Sequence, residues 1–171
     1  MVTAPRPYDR SERTDMKECI SPNARPGLRK VETEPTGVRG VDLYRFPWVR
    51  DPRGDLTVGE FGSGFPFFPK RYFVVFGVSP GTLRGDHAHK KCHQFLICAQ
   101  GQCTALIDDG TNRREVVLDN PSVGIYVPPM IWGSQYDYSQ DGALLVFASE
   151  YYDAGDYIRE YADFQKVLRA A

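Results

Sequence analysis

From residue 41 onward, short apolar runs alternate with turn residues at the spacing, about 8–12 positions, that is typical of strands in a sandwich or small barrel. No long helical pattern interrupts this series before the C-terminal segment. Asp109-Gly110 predicts a hairpin turn, because glycine takes a positive φ without steric cost. The sequence therefore predicts an all-β sandwich or barrel. The predicted strands are 41–46, 56–61, 72–78, 83–89, 94–99, 103–108, 114–118, 125–127, 134–138 and 144–149.

The two ends of the chain depart from this pattern. Residues 1–40 contain five prolines and charges of both signs but few apolar residues, so we expect a flexible N-terminal arm. The folded domain is then 41–171. Near the C-terminus, apolar residues recur every three or four positions, which predicts a helix of about three turns packed outside the barrel and capped by Asp153 or Asp156. This stripe consists of Tyr157, Tyr161, Phe164 and Leu168.

Composition narrows the functional classes. The 171-residue chain has 21 basic and 22 acidic residues, a balance that argues against a nucleic-acid partner. No apolar run approaches the roughly 20 residues that cross a membrane, and no hydrophobic secretory segment stands at the N-terminus. The cysteines form no CxxC pair, which argues against a structural zinc site. Three of them lie in apolar strand-like sequence, so we expect reduced thiols and a cytoplasmic protein. They are Cys19, Cys92, Cys98 and Cys103.

The histidines are the candidate chemistry. The chain contains three, His87, His89 and His93, all within seven residues. Residues two apart on a strand point to the same face, so His87 and His89 are expected to enter the barrel mouth together. Imidazole has an ordinary pKa near 6.5, which suits proton transfer at neutral pH.

The spacing around these histidines resembles the first motif of the cupin barrel. Gly81 stands six residues before His87, Gln94 occupies the position that usually holds glutamate, and Gly101 closes the motif. A second motif runs from 124 to 128. The resemblance implies a jelly-roll-like cupin barrel with a C-terminal helix.

Two positions depart from a metal-binding cupin. Gln94 replaces the glutamate, and Gly133 stands where the second motif has its histidine. The remaining pair would bind a divalent ion weakly unless His93 supplied a third ligand. A metal-dependent cupin oxygenase using all three histidines therefore stays an alternative, and we expect no metal.

Several separated stretches, in order, resemble the sugar 3,4-ketoisomerase family of WxcM-like cupins. They are 66–71, 84–91, 123–129, 145–153 and 156–161, and the resemblance covers about 41–168. It implies an isomerase that acts on dTDP-4-keto-6-deoxyglucose without a metal or redox cofactor and moves the ketone from C4 to C3. His87 and His89 would then be the catalytic pair, transferring protons through an enediol.

A dTDP-sugar substrate requires two further kinds of binding residue. Its diphosphate needs cations, and Arg84, Lys90 and Arg71 lie near the histidines in sequence, with Arg53 a fourth candidate in the turn at 51–54. Its thymine needs a stacking surface. The aromatic candidates are Tyr126, Trp132 and Tyr136.

Two residues differ from what the family resemblance implies. Phe73 stands where members carry a tyrosine, for whose hydroxyl Tyr126 is a possible substitute, and Gly133 stands where many have a larger polar residue. These changes motivate a second alternative, a sugar-nucleotide binding cupin without catalysis. The resemblance also implies a homodimer that exchanges N-terminal strands, with 41–46 near its interface.

Overall fold

The structure, a computed structural model, describes residues 30–170. It contains short and long strands, a 3₁₀ turn and a terminal helix. No helix in this range is long and apolar enough to span a bilayer. The elements are β1 (Glu32–Pro35), β2 (Asp42–Arg45), β3 (Trp48–Val49), β4 (Leu56–Thr57), β5 (Arg71–Phe76), β6 (Arg84–His89), β7 (Gln94–Gln100), β8 (Cys103–Asp108), β9 (Arg113–Leu118), β10 (Val123–Val127), β11 (Trp132–Tyr136), β12 (Ala143–Ala148), the 3₁₀ turn η1 (Ala154–Asp156), β13 (Tyr157–Ile158) and α1 (Tyr161–Ala170).

Two antiparallel sheets enclose the main core. The first has the order β1-β2-β10-β7-β12-β5 and the second the order β13-β6-β11-β8-β9. Alternate residues of each strand point inward, so Leu96 and Val146 from the first sheet pack in one cluster with Ala105 and Ile107 from the second. This arrangement confirms the predicted all-β barrel with its C-terminal helix.

A cluster of aromatic rings covers the outer face of the first sheet. Phe95 is fully buried there, and Phe46 and Phe65 pack on it with ring centroids 5.7 and 4.6 Å away. Outward residues of neighbouring strands, including Tyr126 and Phe147, join the same cluster. Both faces of this sheet are therefore apolar, and only the inner one belongs to the barrel interior.

The C-terminal helix packs on the second sheet but begins later than predicted. Phe164 is fully buried against Ala88 and Trp132. Tyr157 belongs to β13, where it pairs with His89 of β6, so the backbone there is extended rather than helical. Asp153 caps the preceding 3₁₀ turn, accepting from the Gly155 N–H, and not the helix itself.

Most predicted strands appear within a few residues of their expected bounds, but three were missed and one is shorter. The segment at 56–61 is reduced to Leu56–Thr57, and β1, β3 and β13 were not predicted. Most of the predicted arm, 1–29, lies outside the described residues. The part at 32–35 is a strand paired with β2, so this end of the predicted arm belongs to the sheet.

Candidate active site

A cavity of about 340 Å³ opens between the two sheets. Its apolar wall includes Phe73, Leu96, Ile107 and Val146. Among the lining residues of the described chain, Tyr157 carries the one hydroxyl group. The polar side chains that line the cavity are Arg84, His87, His89, Cys92, Gln94, Gln135, Tyr157 and Arg159.

A β-bulge in β6 precedes the histidines. The register with β11 shifts here, and Asp86 has no partner across the ladder. Gly85 and Asp86 both have positive φ, 74° and 58°, and a Cβ added to Gly85 would lie 2.9 Å from the carbonyl oxygen of Gly133. Bulges redirect the side chains that follow them. Beyond this one, His87 and His89 lie on the same face and point into the cavity, as predicted.

The two imidazoles are in direct contact. The Nε2 atoms of His87 and His89 are 3.2 Å apart, and the rings meet nearly edge to face. The ring of Tyr157 packs on both, with centroids 4.8 Å from His87 and 4.3 Å from His89. The side-chain nitrogen of Gln94 lies 3.1 Å from His89 Nε2. Three nitrogen atoms therefore converge at one point of the cavity.

A carboxylate lies behind His89. Asp156 Oδ2 is 2.8 Å from His89 Nδ1. The same carboxylate accepts the backbone N–H of Lys91 at 2.7 Å and that of Cys92 at 3.3 Å. Asp156 was considered in the sequence only as a helix cap. Its link to His89 spans 67 positions, so only the folded chain reveals it.

Burial sets the protonation of this group. It lowers the pKa of His89 to about 4, against the opposing hydrogen bond to Asp156, and it also lowers the pKa of His87. Burial alone would raise the pKa of Asp156, but the hydrogen bonds from His89 and the backbone outweigh it, and the pKa is lowered. At neutral pH both rings are therefore neutral, Asp156 is ionised, and the pair can accept a proton.

Two arginines line the cavity. Arg84 was a predicted ligand, whereas Arg159 was not. The Arg159 guanidinium carbon lies 4.4 Å from the centroid of the Tyr157 ring. Tyr157 and Arg159 are two residues apart on an extended segment, which brings both to the cavity. The sequence analysis predicted a helix here, and residues two apart do not share a helical face, so it did not place Tyr157 and Arg159 at the same site.

The other predicted cations do not line the cavity. Arg71 is beside it, donating to the backbone oxygen of Glu150 at 3.0 Å with its guanidinium carbon 5.5 Å from the centroid of the Phe73 ring. Lys90 donates to the backbone oxygen of Gly155 at 2.8 Å. Arg53 makes a salt bridge within its own turn, to Asp51.

The predicted stacking residues also lie elsewhere. Trp132 is 4% exposed and packs under α1. Tyr136 donates its hydroxyl to Glu115 at 2.6 Å, outside the cavity. Tyr126 points to the outer face of the first sheet, because its strand neighbours Ile125 and Val127 fill the core. Tyr126 therefore does not supply the hydroxyl that Phe73 lacks.

The three histidines do not form one ligand set. His93 lies with Tyr126 on the outer face, its Nδ1 2.7 Å from the tyrosine hydroxyl, and it does not line the cavity. Within residues 30–170, the atoms that could hold a metal belong to His89, Cys92 and Asp156 and lie within 4.8 Å of one another. Two backbone N–H groups already point at this carboxylate, which suits a hydrogen-bond network better than a cation.

The two sheets form a barrel of the cupin class, with a pair of imidazoles lining the cavity between them. Residues 39–169 match the family described as WxcM-like, C-terminal (FdtA), and the chain belongs to this family. The resemblance inferred from the sequence motifs is thereby confirmed.

Several relatives that share about a third or more of the sequence are named as sugar ketoisomerases. The chain is 42% identical over 126 residues to the TDP-4-oxo-6-deoxy-alpha-D-glucose-3,4-oxoisomerase of Aneurinibacillus thermoaerophilus, covering 74% of this chain and 91% of that protein. A variant of the 3,4-ketoisomerase QdtA from Thermoanaerobacterium thermosaccharolyticum, in complex with TDP-4-keto-6-deoxyglucose, is 35% identical with a TM-score of 0.75, over 78% and 96% of the chains. WlaRA, a TDP-fucose-3,4-ketoisomerase from Campylobacter jejuni, is 32% identical with a TM-score of 0.71, over 75% and 96%.

Proposed function

We propose that the protein is a ketoisomerase that converts dTDP-4-keto-6-deoxyglucose to its 3-keto isomer in deoxyamino-sugar biosynthesis. The observation that carries the proposal is the contact between two neutral imidazoles, 3.2 Å apart, inside a cavity open to a ligand. Relatives named for this reaction share the fold and about a third or more of the sequence. The isomerisation needs only proton transfers, and these are what such a pair provides.

The two imidazoles can carry every proton transfer that the isomerisation requires. The ketone at C4 acidifies the C3–H bond, and an imidazole removes that proton, leaving an enediolate with its negative charge on the oxygen at C4. A proton then moves from the oxygen at C3 to the oxygen at C4, and the imidazolium returns its proton to C4. The product has the ketone at C3, and the enzyme regains its starting protonation.

The cations suit the anionic part of the substrate. Arg84 and Arg159 line the cavity and can pair with diphosphate oxygens through their planar guanidinium groups. Arg71 lies close enough to contribute charge, since its guanidinium carbon is 5.5 Å from the centroid of the Phe73 ring, which lines the cavity. The arginines place the nucleotide at the mouth and the sugar toward His87 and His89.

Incubation with dTDP-4-keto-6-deoxyglucose in deuterated water tests the proposal. NMR is expected to show a 3-keto product, which carries deuterium at C4 in proportion to the exchange of the imidazolium proton with solvent before its return. His87→Asn and His89→Asn should each lower turnover by about 10²-fold or more. His93→Asn is the matched control, since His93 lies outside the cavity, and should keep full activity. Absence of both the product and solvent exchange in the wild type would overturn the proposal.

A non-catalytic sugar-nucleotide binding cupin is the second candidate. Phe73 and Gly133 both line the cavity, so the departures from the family resemblance fall in the candidate site. Space for a side chain exists at Gly133, where an added Cβ would come no closer than 3.7 Å to its nearest neighbour. Binding of dTDP-sugar without exchange, unchanged by His87→Asn or His89→Asn, would favour this candidate.

We further propose that the enzyme is a cytoplasmic homodimer. Cys92, Cys98 and Cys103 are free thiols in the buried core, in keeping with a reducing compartment. The outer face of β5 exposes Tyr72, Val74 and Phe76, an apolar surface at a sheet edge that supports association with a second copy. The predicted position of 41–46 near the interface stays a prediction.

A further inference from the structure

We infer that the side-chain amide of Gln94 is a catalytic hydrogen-bond donor that stabilises the negative oxygen at C4 of the enediolate. This inference rests on the proposed function. The imidazoles carry the proton transfers of that reaction, so the charge on the oxygen at C4 is best stabilised by a separate donor that keeps its hydrogen. An amide meets this requirement, because it donates hydrogen bonds and does not titrate.

β7 brings Gln94 into the cavity. Alternate residues of this strand face the barrel interior, so Gln94 and Leu96 line the cavity, whereas Phe95 between them lies in the outer aromatic cluster. The backbone of Gln94 pairs with Val127 of β10 on one side and with Ala148 of β12 on the other. The amide is therefore carried by a strand with neighbours on both sides, which holds it in a fixed position.

The amide nitrogen lies where the two imidazoles meet. It is 3.1 Å from Nε2 of His89, and that atom is 3.2 Å from Nε2 of His87. An amide nitrogen has two hydrogens, and among residues 30–170 its one hydrogen-bond partner is His89. The second hydrogen is therefore available to a ligand. A sugar carbon that reaches the imidazoles brings its own oxygen within reach of this amide.

The surroundings strengthen such a hydrogen bond. Leu96, Ile107 and Val146 line the same cavity, and a fixed donor in apolar surroundings stabilises a developing charge more than water does. The neutrality of the amide matters as well. A glutamate of the same shape has an ordinary pKa of about 4.3, so it would be ionised at neutral pH and would repel the enediolate.

Gln94→Leu keeps the size of the side chain but removes the donor. We expect kcat to fall by about 10²-fold or more, the usual effect of losing one donor to a developing oxyanion, with KM for the sugar nucleotide little changed. Gln94→Glu keeps the shape, removes the N–H donor and adds a charge, so it should lower kcat at least as much. Gln102→Leu is the matched control: Gln102 is exposed in the turn after β7 and should keep the wild-type kcat.

Carbon NMR of bound dTDP-4-keto-6-deoxyglucose supplies a readout that a merely structural role would not move. The sugar is isotopically labelled at C4 and bound to His87→Asn, in which conversion is slow. A hydrogen bond to the ketone oxygen withdraws electrons from C4 and moves its resonance downfield. Adding Gln94→Leu to this variant should therefore move the resonance upfield, whereas adding Gln102→Leu should leave it in place.

A wild-type kcat in Gln94→Leu, or a C4 resonance that this substitution leaves in place, would overturn the inference. So would a raised KM with kcat unchanged, because Gln94 would then bind the substrate without acting on the transition state. Should Gln94→Leu fail to fold, Gln94→Glu answers the same question with both measurements. Failure of the proposed function is separate: the wild type would then show no turnover, while the C4 resonance would still report whether the amide contacts the ketone.

Discussion

His89 combines a buried position with a titratable ring, and this has a consequence for stability. Burial lowers its pKa to about 4, whereas the unfolded chain has a histidine pKa near the model-peptide value of about 6.5. Between these values the unfolded chain binds more protons than the folded one, so stability is lost as the pH falls. The ring is faced by His87, Asp156 and Arg71, and the charges of His87 and Arg71 reinforce the shift.

We therefore expect the free energy of unfolding to fall by about 1–2 kcal/mol between pH 7 and pH 5 through this residue. Urea unfolding at both pH values measures it. His89→Gln retains polarity without a titratable ring, so its loss over the same range should be smaller. An equal loss in both proteins would show that His89 does not control this part of the pH dependence.

For single residues, the sequence predicts those site residues that lie close together in the chain. Period-2 alternation was sufficient to bring His87 and His89 to one cavity, whereas Arg84, an odd number of positions away on the same strand, reaches that cavity because the bulge at Asp86 shifts the alternation. Asp156 and Arg159 are far along the chain and follow no period that links them to β6. Tyr126 and Trp132 were placed wrongly in the cavity because an aromatic residue in a strand has the same sequence signal whether it faces a ligand or the core.

Among the elements, α1 supports the strand that carries the histidines. Phe164 is fully buried against Ala88 of β6 and Trp132 of β11. Removing its ring would leave a cavity beneath the helix. We expect Phe164→Ala to lower the free energy of unfolding by about 3–5 kcal/mol, measured by urea unfolding.

Val167→Ala controls for helix propensity. Val167 lies on the same helix but is 43% exposed, so its truncation should change stability by about 0.5 kcal/mol or less. Similar losses in the two variants would mean that the packing of Phe164 does not anchor the helix to the sheet.

The elements that sequence patterns miss are those without a period of their own. β1 is exposed along its whole length and β13 has two residues, so pairing with β2 and β6 defines them rather than alternation. The helix was predicted too long because Tyr157 falls by coincidence at helical spacing from Tyr161. Tyr157 is a strand residue because its backbone pairs with His89, and this long-range contact brings its side chain to the site.

For the molecule as a whole, the edge of the first sheet is the exposed surface that most needs a partner. Among residues 30–170, β5 has one strand neighbour, β12, and its outer face presents Tyr72 and Phe76, 70% and 73% exposed. Across the ladder, Tyr72 pairs with Phe147 of the outer aromatic cluster, so the apolar surface continues from the edge onto the sheet. Within the described part of the chain, no segment covers this surface, and an apolar surface of this kind is typical of an interface.

A homodimer that buries this face is therefore expected to show twice the 19.3 kDa chain mass by size-exclusion chromatography with light scattering. Phe76→Glu places a charge on the apolar edge, which is costly to bury without a partner, and should shift the protein to the monomer. Val167→Glu adds the same charge on the exposed side of α1 and should leave the dimer intact. A monomeric wild type would exclude the dimer. A Phe76→Glu variant that is still dimeric would show that the interface does not lie on β5. That result would favour the strand exchange near 41–46, which does not depend on the outer face of β5.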